Sequence, residues 1–161
     1  MDDSVEKQVA QLKTEGKAAL ARHDFEGAKD VLTSAIALSP DSHKLYRLRS
    51  VAYACLQEYQ SSLEDAEKVI GLMPKSTDGY YHKGFALYHQ KDYSGAAHAF
   101  QEGLKLNPSD RVLRQGFWDA VTLLSQHRVC LPMRYQVTES DIDLKANRLP
   151  EADVEPTPEP E

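Results

Sequence analysis

Three prolines, Pro40, Pro74 and Pro108, stand 34 residues apart, and an internal period of that length leaves few folds open. A chain that repeats itself at this interval repeats one supersecondary unit of two helices and a turn. Such a unit cannot bury its own apolar face and must stack on its neighbours. In the proline register the units are Val9 to Ser42, His43 to Ser76 and Thr77 to Asp110.

Within the units, apolar and small residues recur at three- and four-residue intervals, the spacing of one helix face. Residues 1–8 are polar and lead into a first helix carrying Leu12, Gly16, Ala19 and Leu20. His23-Asp24 interrupts it, and Asp24 is placed to cap a second helix through Phe25, Ala28, Leu32, Ala35 and Ile36. The same plan predicts helices near 42–56 and 59–72, then 77–90 and 93–106. Gly16, Ser50 and Gly84 share one register position, and Ala28, Ser62 and Ala96 another. Small residues there let paired backbones approach, while Tyr46, Tyr53, Tyr59, Tyr80, Tyr93 and Phe100 fill the space beside them. Residues 110–127 keep helical spacing through Val112, Leu113, Phe117, Val121 and Leu124, without a partner helix. This reads as a terminal cap that turns Arg111, Arg114 and Gln115 to water, with Trp118 in its seam. The expected fold is therefore all-α: a right-handed α-solenoid of three helix pairs plus a C-terminal capping helix, spanning residues 1–129.

Beyond Arg128 the periodicity ends. Leu131 to Val137 could form a short extended segment, and 130–161 reads as an acidic, proline- and glutamate-rich tail, mostly disordered, in which Ile142 and Leu144 could anchor a docking motif. The net charge of −6 is carried by this tail: residues 1–137 hold equal numbers of basic and acidic side chains, and 138–161 hold 2 basic and 8 acidic. A neutral repeat region with an acidic tail opposes binding to phosphate backbones. No apolar run approaches the ~18 residues of a membrane-spanning helix, and no cleavable leader is evident, so a cytoplasmic protein is expected. Cys55 and Cys130 share no framework spacing and read as free thiols, with Cys55 half-buried and inert. No histidine falls in a ligand cluster: His82 and His89, on one helix face, read as solvated. Neither a phosphate loop nor a nucleophile with a paired base is present, so no enzyme, cofactor or metal site is expected.

Three sub-motifs, Leu12-Lys13-x-x-Gly16, Leu45-Tyr46-x-x-Arg49-Ser50-x-Ala52-Tyr53 and Gly79-Tyr80-x-x-Lys83-Gly84, resemble the tetratricopeptide repeat (TPR) family, and within it the three-repeat domains of chaperone-organising co-chaperones. The resemblance covers residues 9 to about 127. It implies a concave groove lined by the first helix of each unit, in which five polar residues clamp the carboxylates of a chaperone's acidic C-terminus. Carried over position by position, the first lysine is Lys13, but the two asparagines fall on Lys17 and Leu48, the second lysine on Asp78 and the arginine on His82. A carboxylate facing Asp78 would meet repulsion where the family supplies attraction.

On the same resemblance, the groove presents Lys13, Lys17, Arg47, Leu48, Val51, Cys55, Asp78, Tyr81, His82, Phe85, Tyr88 and His89. Charge lies at one end and aromatic surface at the other, which suits a peptide that is acidic toward unit one and apolar toward unit three. The basic residues could equally be ordinary solvated side chains, and Phe85 and Tyr88 could be structural. The expected function is a non-catalytic protein-protein adaptor, monomeric on its own, with no nucleic-acid or membrane partner. A co-chaperone binding the acidic C-termini of heat-shock chaperones is a less favoured alternative. A structural subunit of a larger assembly is another.

Overall fold

The computed structural model describes residues 2–128. Leu131 to Val137, expected as a short extended segment, the tail expected to be disordered with Ile142 and Leu144, and Cys130 lie outside the described residues. Among those described there are seven helices: α1 (Asp3–Ala21), α2 (Phe25–Leu38), α3 (His43–Cys55), α4 (Tyr59–Leu72), α5 (Thr77–His89), α6 (Tyr93–Leu106) and α7 (Arg111–Arg128). The first helix starts earlier than its apolar pattern, because the Asp2 side chain accepts from the Ser4 N–H and caps a polar first turn.

The break between the helices of a pair is built the same way three times. His23, Gln57 and Lys91, each 34 residues from the next, all take positive φ of 62°, 62° and 65°. This left-handed residue lets the next N–H reach back five residues, from Asp24 to Ala19, Glu58 to Tyr53 and Asp92 to Leu87, at 2.9, 2.9 and 3.0 Å. Asp24 and Asp92 then cap the following helix, accepting from the Gly27 and Gly95 N–H at 3.0 Å. A Cβ on either glycine would press on the capping carboxylate as it stands, so a larger residue there would have the aspartate side chain shift. The middle unit has Glu58 and Ser61 instead, and its helix has no side-chain cap.

Helices pair as α1 with α2, α3 with α4 and α5 with α6, and each second helix also packs on the first helix of the next unit. In addition α1 touches α3, α3 touches α5 and α5 touches α7, whereas α2, α4 and α6 do not touch one another. One row is thus closed up and the other splayed, so the array curves around α1, α3, α5 and α7, whose free faces form its concave side.

The small register positions are seats for side chains as much as points of backbone approach. A Cβ on Gly16 would come within 2.7 Å of Leu32, and one on Gly84 within 2.6 Å of the Phe100 ring. In the middle unit the hydroxyls of Ser50 and Ser62 lie 3.0 Å apart, and each also lies 3.0 Å from the other residue's carbonyl oxygen, so their two protons are shared among these three contacts. Both are buried and satisfied. Beside them the Arg49 guanidinium grips Asp65 through two 2.7 Å bonds, with the Tyr46 and Tyr53 rings 5.7 and 5.5 Å from it. Those bonds raise the Arg49 pKa against its burial, while burial raises that of the Asp65 carboxyl more than Arg49 lowers it.

Two expectations for α7 need correction. Arg114 is not turned to water: it stands in register with Tyr46 and Tyr80, is half-buried, and its Nε is buried without a hydrogen-bond partner. Arg111 and Gln115 are exposed, but they line a cavity rather than a plain outer face. Trp118 packs half-buried against the last apolar cluster, 5.4 Å from the Phe117 ring.

Candidate functional site

The concave face is a set of helix stripes related by the 34-residue period. On α3 the stripe is Arg47, Val51 and Cys55, on α5 it is Tyr81, Phe85 and His89, and on α7 it continues as Gln115 and Asp119. Lys13 and Lys17 sit one turn apart on α1, half-buried and exposed respectively, and neither has a bonded acidic partner among the described residues.

Leu48, His82 and Gly116 share the adjacent register position, which points into the floor between neighbouring helices. This overturns two readings. Leu48 is buried at 9% exposure in the first apolar cluster and offers the groove almost no surface. His82 is desolvated rather than solvated, and burial pushes its pKa down to about 4, with Arg47 adding to the fall and Asp78 opposing it. Near neutral pH this imidazole is uncharged. Cys55, at the end of α3, is exposed rather than half-buried. Asp78 is joined to Arg47 across the α3–α5 seam at 3.6 Å. Both partners are well exposed, so this link contributes little stability, yet it occupies one cation of the groove.

Two cavities open on this face. One of about 250 Å³ lies between α3 and α5, lined by Val51, Ala54, Cys55, Tyr81, His82 and Phe85. A second of about 390 Å³ lies between α5 and α7, where Tyr81 and Phe85 are joined by Tyr88, His89, Phe100 and Val112. Tyr81 and Phe85 are a wall common to both. The Phe100 ring is fixed at the second cavity by glycines on two sides, for a Cβ on Gly116 would come within 2.7 Å of it, as one on Gly84 would within 2.6 Å. His89 is held by the Phe85 ring at 4.3 Å and by near-parallel stacking on Tyr59 at 5.0 Å. Arg111, Gln115 and Asp119 complete the lining, Gln115 donating to Asp119 at 2.8 Å.

The sequence reading omitted Ala54, Phe100 and the whole α7 contribution. Counting one more period would have found the latter, since Asp78, Tyr81, His82 and Phe85 map onto Val112, Gln115, Gly116 and Asp119. Among the described residues no cluster of three or more His, Cys, Asp or Glu could hold a metal ion, and no helix is long and apolar enough to cross a membrane. The lining of both cavities is mainly apolar and aromatic, with Arg111, Gln115 and Asp119 at the α7 edge of the second.

A curved array of helix pairs with a groove on its inner row defines a class of helical-repeat proteins. Tetratricopeptide-repeat family profiles match residues 13–76 and 77–110, together more than half the chain. The chain belongs to the tetratricopeptide-repeat family. It is 41% identical over 108 residues to the wheat (Triticum aestivum) Hsp70-Hsp90 organizing protein, a match covering 67% of this chain and 19% of that protein. The chain thus spans about a fifth of that relative's length. The Sgt2 TPR domain from Aspergillus fumigatus superposes with a TM-score of 0.72 at 25% identity, covering 81% of this chain and 89% of that one. The first TPR of Spaghetti, solved bound to the HSP90 peptide SRMEEVD, superposes with a TM-score of 0.71 at 19% identity, covering 74% and 94%.

Proposed function

We propose that this chain is a non-catalytic adaptor that captures a peptide segment of a partner protein on its concave face, in the cytoplasm. The observation that carries this reading is the pair of adjoining apolar cavities on the inner helix row, walled by Tyr81 and Phe85. Aromatic rings already fixed by packing supply contact area at small entropic cost, which is how interface anchors are built. The groove residues carrying it are Val51, Cys55, Tyr81, Phe85, Tyr88 and His89, with Val112 and Gln115 added from α7. Lys13 and Lys17 supply attraction for acidic residues.

A second reading, capture of the acidic C-terminus of a heat-shock chaperone, is favoured by the wheat relative's name and by Lys13 at its place in the clamp. The substitutions at the other clamp positions are its only counterweight, and the relatives do not add to it.

Fluorescence anisotropy with labelled SRMEEVD and with peptides selected from a random library tests both. Val112 is 58% exposed, so Val112→Glu leaves the fold intact while placing a charge at the second cavity. Binding that falls about tenfold or more in this variant supports the groove. Binding indifferent to Val112→Glu and to Tyr81→Ala removes it.

A further inference from the structure

We infer that the groove takes an internal peptide segment, one without a free C-terminal carboxylate, through two bulky apolar side chains three residues apart, with acidic residues on the α1 side. This deepens the peptide-groove reading and rests on it.

The first ground is what stands where a terminal carboxylate would have to be held. Asp78 is an anion already joined to Arg47 at 3.6 Å, Leu48 is buried, and His82, desolvated, lines the cavity between α3 and α5. Arg47 is thereby tied to an acid of the protein's own. At the α1 side, the cations without an acidic partner among the described residues are Lys13 and Lys17, while Arg111 stands at the opposite, α7 end of the groove. The two lysines are flexible point charges, not a planar fork, and they attract a side-chain carboxylate as well as a terminal one. Nothing at this end discriminates a chain terminus from an internal acid.

The second ground is the spacing of the cavities. One lies between α3 and α5 and the other between α5 and α7, so they stand about one interhelix distance apart, roughly 8–10 Å. In a polyproline-II-like chain, which rises about 3.1 Å per residue with three residues per turn, side chains at i and i+3 point the same way about 9 Å apart. A fully extended strand matches less well, because its i and i+3 side chains face opposite sides. Two anchors with two residues between them therefore seat together, astride the wall formed by Tyr81 and Phe85.

The test is a selection against the full chain, residues 1–161, from random twelve-residue peptides displayed in a loop with no free terminus, followed by synthesis of the winners as amidated and free-acid forms. Winners should share bulky apolar residues at i and i+3. The two forms should bind within about fivefold of each other, since an exposed charge contact is worth at most ~1 kcal/mol. Either anchor changed to alanine should lose about tenfold or more. Lys13→Ala with Lys17→Ala should weaken acidic winners, and that difference should shrink as salt is raised.

Winners that bind the wild type only as free acids overturn the inference and leave the peptide groove standing, as do winners with a single anchor. No winners at all, or winners unaffected by Val112→Glu, overturn the groove reading and this inference with it. A synthetic peptide of residues 129–161 that displaces the winners at comparable concentration would make the chain's own tail the occupant, against the partner segment inferred here.

Discussion

Phe100 is held between Gly84 and Gly116, and this one ring ties α6 to both α5 and α7 at the bottom of the larger cavity. A methyl group on Gly84 would press on the ring at 2.6 Å, and the ring cannot retreat because Gly116 backs its other side. Gly84→Ala should therefore cost about 1–3 kcal/mol in urea unfolding. Gly71, in α4, has nothing within 4 Å of a built Cβ, so Gly71→Ala should instead stabilise by up to about 1 kcal/mol. His82 makes a prediction about pH. Its folded pKa of about 4 lies below the ordinary value of 6.5, so the unfolded chain takes up a proton first as pH falls. The stability this neutral imidazole supports is fully present above about pH 7 and drains away between 6.5 and 4, by roughly 3 kcal/mol in all. Urea midpoints of the wild type and His82→Gln should diverge in slope below pH 6.5 and run parallel above it. Parallel curves throughout would show that His82 is solvated.

Helix α3 and its partner α4 depart from the other two pairs: where these seat a large side chain on glycine, the middle pair uses the Ser50–Ser62 bonds and the Arg49–Asp65 pair. Asp65 is 4% exposed, and removing it leaves a half-buried guanidinium without its acid. Asp65→Ala should cost about 3 kcal/mol, whereas the double change Arg49→Met with Asp65→Leu should come within about 1 kcal/mol of the wild type. Thermal or urea unfolding of both variants measures the difference. The existence and pairing of these helices were legible because each face repeats every 34 residues. The αL residues His23, Gln57 and Lys91 share that period but were not legible as such, since the left-handed position is ordinarily marked by glycine, absent at all three. Leu48 was misplaced for a related reason. Neighbouring residues of one helix turn differ by about 100° in direction, so a stripe drawn one position wide of Arg47, Val51 and Cys55 passes from the groove into its floor. The α7 half of the site was missed because a helix without a partner was read only as a cover.

The curvature of the whole array follows from contacts along α1, α3, α5 and α7 with none between α2, α4 and α6, and it puts the half-buried Tyr81 and Phe85 and both cavities they wall on the inner side. That asymmetry is the basis for assigning recognition to the concave face and not to the splayed outer row. Amide chemical-shift mapping of the full chain, titrated with a peptide selected for binding, tests this directly. The account expects the large shifts to fall on three separated runs of the sequence, at Val51 to Cys55, Tyr81 to His89 and Arg111 to Asp119, with α2, α4 and the outer face of α6 unchanged. Shifts concentrated on α2 and α4, with these three runs silent, would contradict it.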